Sequence, residues 1–153
     1  MKPFAADFLN ILEAQHTEME RAIDGLPLAA LDWSPGPDMN SIAVLVIHTM
    51  GAERYFLGDV IAREPSNRDR AAEFQTSGLD AGALKERLQT TIAYTRRVLE
   101  GLTLEDLETT RILPRDGSEH TVASCLLTVV AHTALHVGHI QLTRQLWEQR
   151  AQA

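Results

Sequence analysis

Residues 132–139 read HTALHVGH and place three of the chain's six histidines within eight positions of an otherwise apolar segment. At 3.6 residues per turn His132, His136 and His139 lie within about 60° of one another around a helix axis, so a helix here carries one stripe of imidazoles. Cys125 and Thr143 extend the stripe, seven residues before His132 and seven after His136. Around it stand Leu126, Leu127, Val129, Val130, Leu135 and Ile140. The pattern predicts a helix from Val122 into the polar tail EQRAQA, inserted deeply among other helices.

Working outward, three more helices emerge. Phe4, Phe8, Ile11, Leu12, Met19, Ala22 and Ile23 recur at helical spacing until Gly25 to Pro27 stops the pattern, which predicts a first helix from Phe4 to Asp24. LDWSPGPDMNS, residues 31–41, is rich in turn formers and ends on Asn40 or Ser41 as an N-cap, so the chain crosses over here. Ile42 to Arg63 reads as a second helix and carries His48. EPSNRDRAAEFQTSG, residues 64–78, is a polar loop with at most a turn of helix. Leu84, Leu88, Ile92 and Leu99 then mark a third amphipathic helix, capped by Asp80. RILPRDGSEHT, residues 111–121, holds an Asp-Gly pair suited to a small hairpin or an irregular excursion. Four long helices without any extended period-two run predict an all-α four-helix bundle with a long crossover between helices 1 and 2. At 153 residues the chain fits a single domain, 1–153.

Composition narrows the function. The net charge is −7 and no Lys or Arg run builds a basic stripe, which disfavours nucleic acid as a partner. One cysteine cannot form an intramolecular disulfide and fits a reducing cytoplasm. MKPFAADFLNILEAQHTEME lacks the charge pattern of a signal peptide, and no segment offers about 18 uninterrupted apolar residues, so no membrane is expected.

Histidines four apart on a helix rise about 6 Å and can converge on one ion at Zn–N distances of about 2.0–2.1 Å. His132 and His136 meet that condition. His132 and His139 span about 10.5 Å of rise, so a third ligand from another helix is preferable, and His48 is the other histidine in a strongly apolar helix. Two readings remain open from spacing: a metal site, or imidazoles hydrogen-bonded within a core. Three histidines without cysteine or carboxylate would leave open coordination positions, the arrangement of reactive sites. Glu53 falls about 140° from His48 on the wheel and reads as surface charge, His16 as a rim residue, and His120 as part of the loop before the last helix. Cys125 reads as a small core residue. Trp33 and Trp147 suit a pocket mouth, the anchoring of a loop or the burial of a dimer contact.

SIAVLVIHTMGAERYFLGDVIAREPSNRDRAAEF, residues 41–74, followed by AHTALHVGHIQLTRQLW, residues 131–147, resembles the DinB/YfiT-like superfamily, and LDWSPGPDMNSIAVLVIH before the first histidine agrees. The resemblance implies a four-helix bundle in which His48, His132 and His136 hold one divalent metal ion such as zinc, nickel or iron. His139 stands where many members carry Gln and is expected either to contact a ligand, a bound water or the substrate, or to make a polar contact within the core. The resemblance further implies a homodimer and a transferase acting on a small molecule with a low-molecular-weight thiol of the bacillithiol, mycothiol or glutathione kind. A metal-dependent hydrolase, or a non-catalytic, stress-related metal-binding dimer, are the alternatives.

Overall fold

The computed structural model describes residues 1–150. Four long helices carry the fold: α1 (Pro3–Ile23), α3 (Ile42–Arg54), α5 (Ala81–Glu100) and α7 (Val122–Arg150). α1 packs against α5 and α7, and so does α3, which leaves α1 diagonal to α3 and α5 diagonal to α7. Both diagonals need long connections. The first is the predicted crossover; it includes the single turn α2 (Leu28–Leu31), and Trp33 anchors it edge-on against Trp147 of α7, with ring centroids 5.7 Å apart. The second runs through α6 (Leu104–Leu107) and a hairpin of β1 (Thr110–Ile112) and β2 (Glu119–Thr121), in which Thr110 pairs with Thr121. Its turn includes Gly117 at φ 75°, a left-handed conformation that glycine adopts without strain. The small hairpin, not the irregular alternative, is what forms.

Local chemistry explains the boundaries. Ser41 accepts a hydrogen bond from the Val44 amide, Asp80 from the Ala83 amide, and each begins its helix as an N-cap. The second predicted helix is continuous to Ala62, but Tyr55–Ala62 winds as a π-helix and stops at Arg63, whose φ is +58°. Asp69 caps the single turn α4 (Arg70–Glu73), the turn of helix allowed for in the polar loop.

The core is split. Leu9, Leu12, Leu57, Leu99, Val122 and Val129 belong to one apolar cluster, and Met19, Ile23, Ile42, Met50, Leu88 and Ile140 to the other. Between them in sequence, on three helices, lie His16, Glu53 and Thr95, all buried. His16 Nε2 is 2.8 Å from Glu53 Oε2, and the Thr95 hydroxyl donates to Glu53 Oε1 at 2.6 Å.

This layer corrects two expectations. His16 is not at the rim: the buried stripe of α1 runs Ala5, Leu9, Leu12, His16, Met19, Ile23, which puts His16 at a core position. Ile11, expected inside, is 48% exposed. Glu53 is not surface charge, because α3 is enclosed on all sides and a position opposite His48 is still inside. A further expectation, for the last helix, also changes. α7 is long and apolar enough by length and composition to cross a membrane, yet it is not inserted deeply: Leu127, Leu135 and Leu142 are exposed while Cys125, Val129, Thr133, Ile140 and Thr143 face the bundle. Cys125 is a buried core residue, as expected, and burial pushes its thiol pKa up.

Candidate metal centre

Because α7 buries one side only, its imidazole stripe falls at the border between the packed face and solvent. His132 and His136 are half-buried and His139 is exposed. α3 lies alongside α7 and brings His48, itself buried, to the same point. His48 Nε2 is 3.2 Å from His132 Nε2, which is 3.2 Å from His136 Nε2, and one ligand atom from each ring lies within 4.8 Å of the others. Tetrahedral ligands about 2.0–2.1 Å from an ion sit roughly 3.3–3.4 Å apart, so the two 3.2 Å separations are close to what a shared ion requires.

The other nitrogen of His48 explains why its Nε2 points inward. Nδ1 is 3.0 Å from Glu73 Oε2, and Phe74 packs on the ring with centroids 4.8 Å apart. Arg68 holds Glu73 in turn, donating from Nε to Oε1 at 2.6 Å and from its terminal nitrogen to Oε2 at 2.8 Å. Burial alone would raise the Glu73 pKa; the hydrogen bonds from Arg68 and His48 outweigh it and hold the carboxyl below its usual range. A carboxylate that accepts the Nδ1 proton fixes the tautomer that leaves Nε2 free as a donor to metal. Gly51 makes room, since a side chain there would overlap Glu73 Oε1.

On α7, burial first and the neighbouring positive groups second push His132 and His136 down to about 4. Both are therefore neutral at pH 7 and able to donate a lone pair. His139 Nδ1 is 3.4 Å from His136 Nδ1, beside the cluster and on its solvent side. The structure thus gathers all three histidines singled out as ligands and sets the fourth next to them. His120, by contrast, stays in the hairpin with Nε2 3.2 Å from the Ser118 hydroxyl. Glu73 and Arg68 were not anticipated. Their one local signal is Asp69, whose cap starts the helical turn that carries Glu73.

A helical bundle that closes three imidazoles from two helices around one point has the architecture of a metal-binding bundle. The DinB superfamily matches residues 11–140, and the chain belongs to it. No curated protein matches significantly. Among solved structures, a conserved protein from Enterococcus faecalis superimposes with a TM-score of 0.74 at 17% identity, over 95% of this chain and 97% of that one. The DinB-like protein YjoA from Bacillus subtilis gives 0.70 at 18% identity, over 91% and 90%. YfiT from Bacillus subtilis, described as a probable metal-dependent hydrolase with an unusual four-helix bundle topology, gives 0.75 at 16% identity, over 95% and 88%. At these identities the likeness concerns the fold.

Proposed function

We propose that the chain is a cytoplasmic metal-dependent enzyme that holds one divalent ion, zinc, nickel or iron, through His48, His132 and His136 and transfers a low-molecular-weight thiol to a small-molecule electrophile. The observation that supports this most directly is the pair of 3.2 Å Nε2 separations, with the second nitrogen of His48 committed to Glu73. A bound divalent ion with open positions acidifies a thiol or a water and so supplies a nucleophile at neutral pH. The chain's own residues favour the thiol. Glu73, the carboxylate that touches the cluster, is occupied by Arg68 and by His48 Nδ1 and is not free as a base. A nucleophile that is already fairly acidic, with an unperturbed pKa near 8.5 for a thiol, needs the least help.

The half-burial of His132 and His136 leaves the cluster open toward solvent, which suits turnover better than a sealed structural ion. Beside His139 lies a cavity of about 230 Å³ lined by Asp38, Met39, Asn40, Leu45 and Leu142, where a small electrophile with an apolar part would fit. Hydrolysis is the second reading, supported by the description of YfiT. A second copy of the chain is the proposed partner: Leu127, Leu135 and Leu142 lie within about 80° of one another on α7 and are all exposed.

Elemental analysis of untagged protein tests the centre. About one divalent ion per chain is expected, lost in folded His48→Ala and His136→Ala variants. No ion after zinc and nickel titration would overturn the proposal. Thiol consumption against an electrophile panel, run beside ester hydrolysis, then separates the two chemistries.

A further inference from the structure

Behind the cluster, on the side of α3 that faces α5, is a cavity of about 550 Å³ that the proposed reaction does not use. Three guanidinium groups line it, those of Arg54, Arg68 and Arg87, against two carboxylates, Glu73 and Asp69. Arg54 and Arg68 each face a carboxylate, Asp59 and Glu73, so among the described residues the guanidinium left unpaired in the cavity is that of Arg87. Two of the three cations are seated in glycine notches. At Gly58 a Cβ would overlap Arg54 and lie 2.9 Å from the Tyr94 hydroxyl, and at Gly51 it would lie 3.2 Å from Arg68 Nε. Both guanidiniums are largely buried, and Arg54 stacks on the Tyr94 ring at 3.8 Å.

Their commitments differ. Arg68 is engaged by Glu73, while Arg54 meets Asp59 at 3.7 Å and donates to the Glu64 carbonyl. Arg87 lies across the cavity on α5 and, among the described residues, has no carboxylate within 4.0 Å. Asp69 is turned to its own helix, capping the Ala72 amide. Ile47, Pro65 and Ala72 supply apolar wall. The cavity therefore offers one free guanidinium fork, a second that an anion can share with Glu73, and an apolar surface beside them.

We infer that this cavity binds a small organic anion, a carboxylate or phosphate carried on an apolar body, and that Arg68 links its occupancy to the histidine cluster. Planar guanidinium forks match both anions through paired N–H donors. An anion that draws Arg68 toward itself leaves the charge of Glu73 less compensated on His48 Nδ1. It also adds negative charge near the ligand set. Both effects favour a cation at the cluster, so the two sites reinforce one another, and by reciprocity each ligand tightens the other by the same factor. The linkage rests on the metal-binding reading; the anion site does not.

The test is isothermal titration of metal-free protein with phenylacetate and phenyl phosphate, and with 2-phenylethanol as the neutral control. Saturable binding of at least one anion at about millimolar or tighter dissociation constant is expected, with no binding of the alcohol. Arg87→Gln, at an exposed helix position that should not disturb folding, is expected to weaken the anion about tenfold or more. Absence of saturable binding, equal binding of the alcohol, or an unaffected Arg87→Gln variant would overturn the site. Comparing the two anions identifies which chemistry is preferred. In the second arm, zinc affinity is measured with and without saturating phenylacetate, and about a fivefold tightening or more is expected in the wild type but not in Arg87→Gln. Anion binding with unchanged zinc affinity overturns the linkage. Anion binding in a chain that takes up no zinc overturns the metal reading, and with it the linkage, and leaves the anion site standing.

Discussion

Gly51→Ala probes the layer behind the proposed ligands without touching a ligand. The added Cβ would overlap Glu73 Oε1, stand 2.8 Å from its Cδ and 3.2 Å from Arg68 Nε. Carbon atoms pack at about 3.5–4.0 Å, so the carboxylate must retreat by roughly 0.7 Å or more. Added to the present 3.0 Å, that movement takes the His48 Nδ1 to Glu73 Oε2 contact to the limit of hydrogen-bond range. Loss of such an outer contact typically lowers metal affinity about 10–100-fold, or about 1.4–2.7 kcal/mol. Alanine in a helix interior meanwhile gains about 0.8–1 kcal/mol over glycine, which offsets part of the cost of about 1–3 kcal/mol for displacing the buried carboxylate. Zinc competition against a chromophoric chelator, with urea unfolding of the metal-free protein alongside, separates the two effects. Glu73→Gln, which keeps the shape and removes the charge, should share the affinity loss. If Gly51→Ala binds zinc within twofold of the wild type, Glu73 does not support the site.

Glu53→Ala strips His16 and Thr95 of their shared partner in the core and is expected to destabilise the chain by about 3 kcal/mol or more, read from urea unfolding; a change under about 1 kcal/mol would mean the pair is not held as described. His132 and His136 sit at about 4 in the folded chain, below the unfolded value near 6.5, so between those limits the unfolded chain binds more protons. Stability of the metal-free protein should therefore fall as pH drops from about 6.5 toward 4. The slope should shrink in a His132→Ala, His136→Ala double variant, and a flat profile in the parent would contradict the burial of these rings. Leu135→Glu puts a charge on the exposed stripe of α7; sedimentation should show a dimer in the wild type and a monomer in the variant, and identical states would remove this face as the contact.

The helices were legible in the sequence because apolar spacing and caps are local signals. Val122 and Asp80 mark their starts as expected, and the order of elements and the family agree. The wheel argument failed at Glu53 for a definite reason: it assumes that a helix has a wet side. IAVLVIHTMGAER is apolar around most of its circumference, the mark of an enclosed helix, and that feature overrides an angle from His48. His16 was legible in principle, since Leu9, Leu12, His16, Met19 and Ile23 keep a four-three spacing. Its polarity hid the repeat. Glu73 was not legible, because its role comes from a loop folded back on His48 across 25 residues, and no spacing rule reaches that far.

The gathering of His48 and His132 from positions 84 residues apart has a kinetic side. A partial chain that has formed α3 but not α7 owns one imidazole of the three and has no chelating pair. On a ribosome, α3 must therefore wait for α7 before the cluster exists, and early capture of a stray ion by the nascent chain is disfavoured. If the closed cluster takes up an ion as proposed, that uptake would report on completed folding and would add about 2.7 kcal/mol of stability when free metal stands at a hundred times its dissociation constant. Under that proposal metal supply would then bear on how long the finished bundle survives.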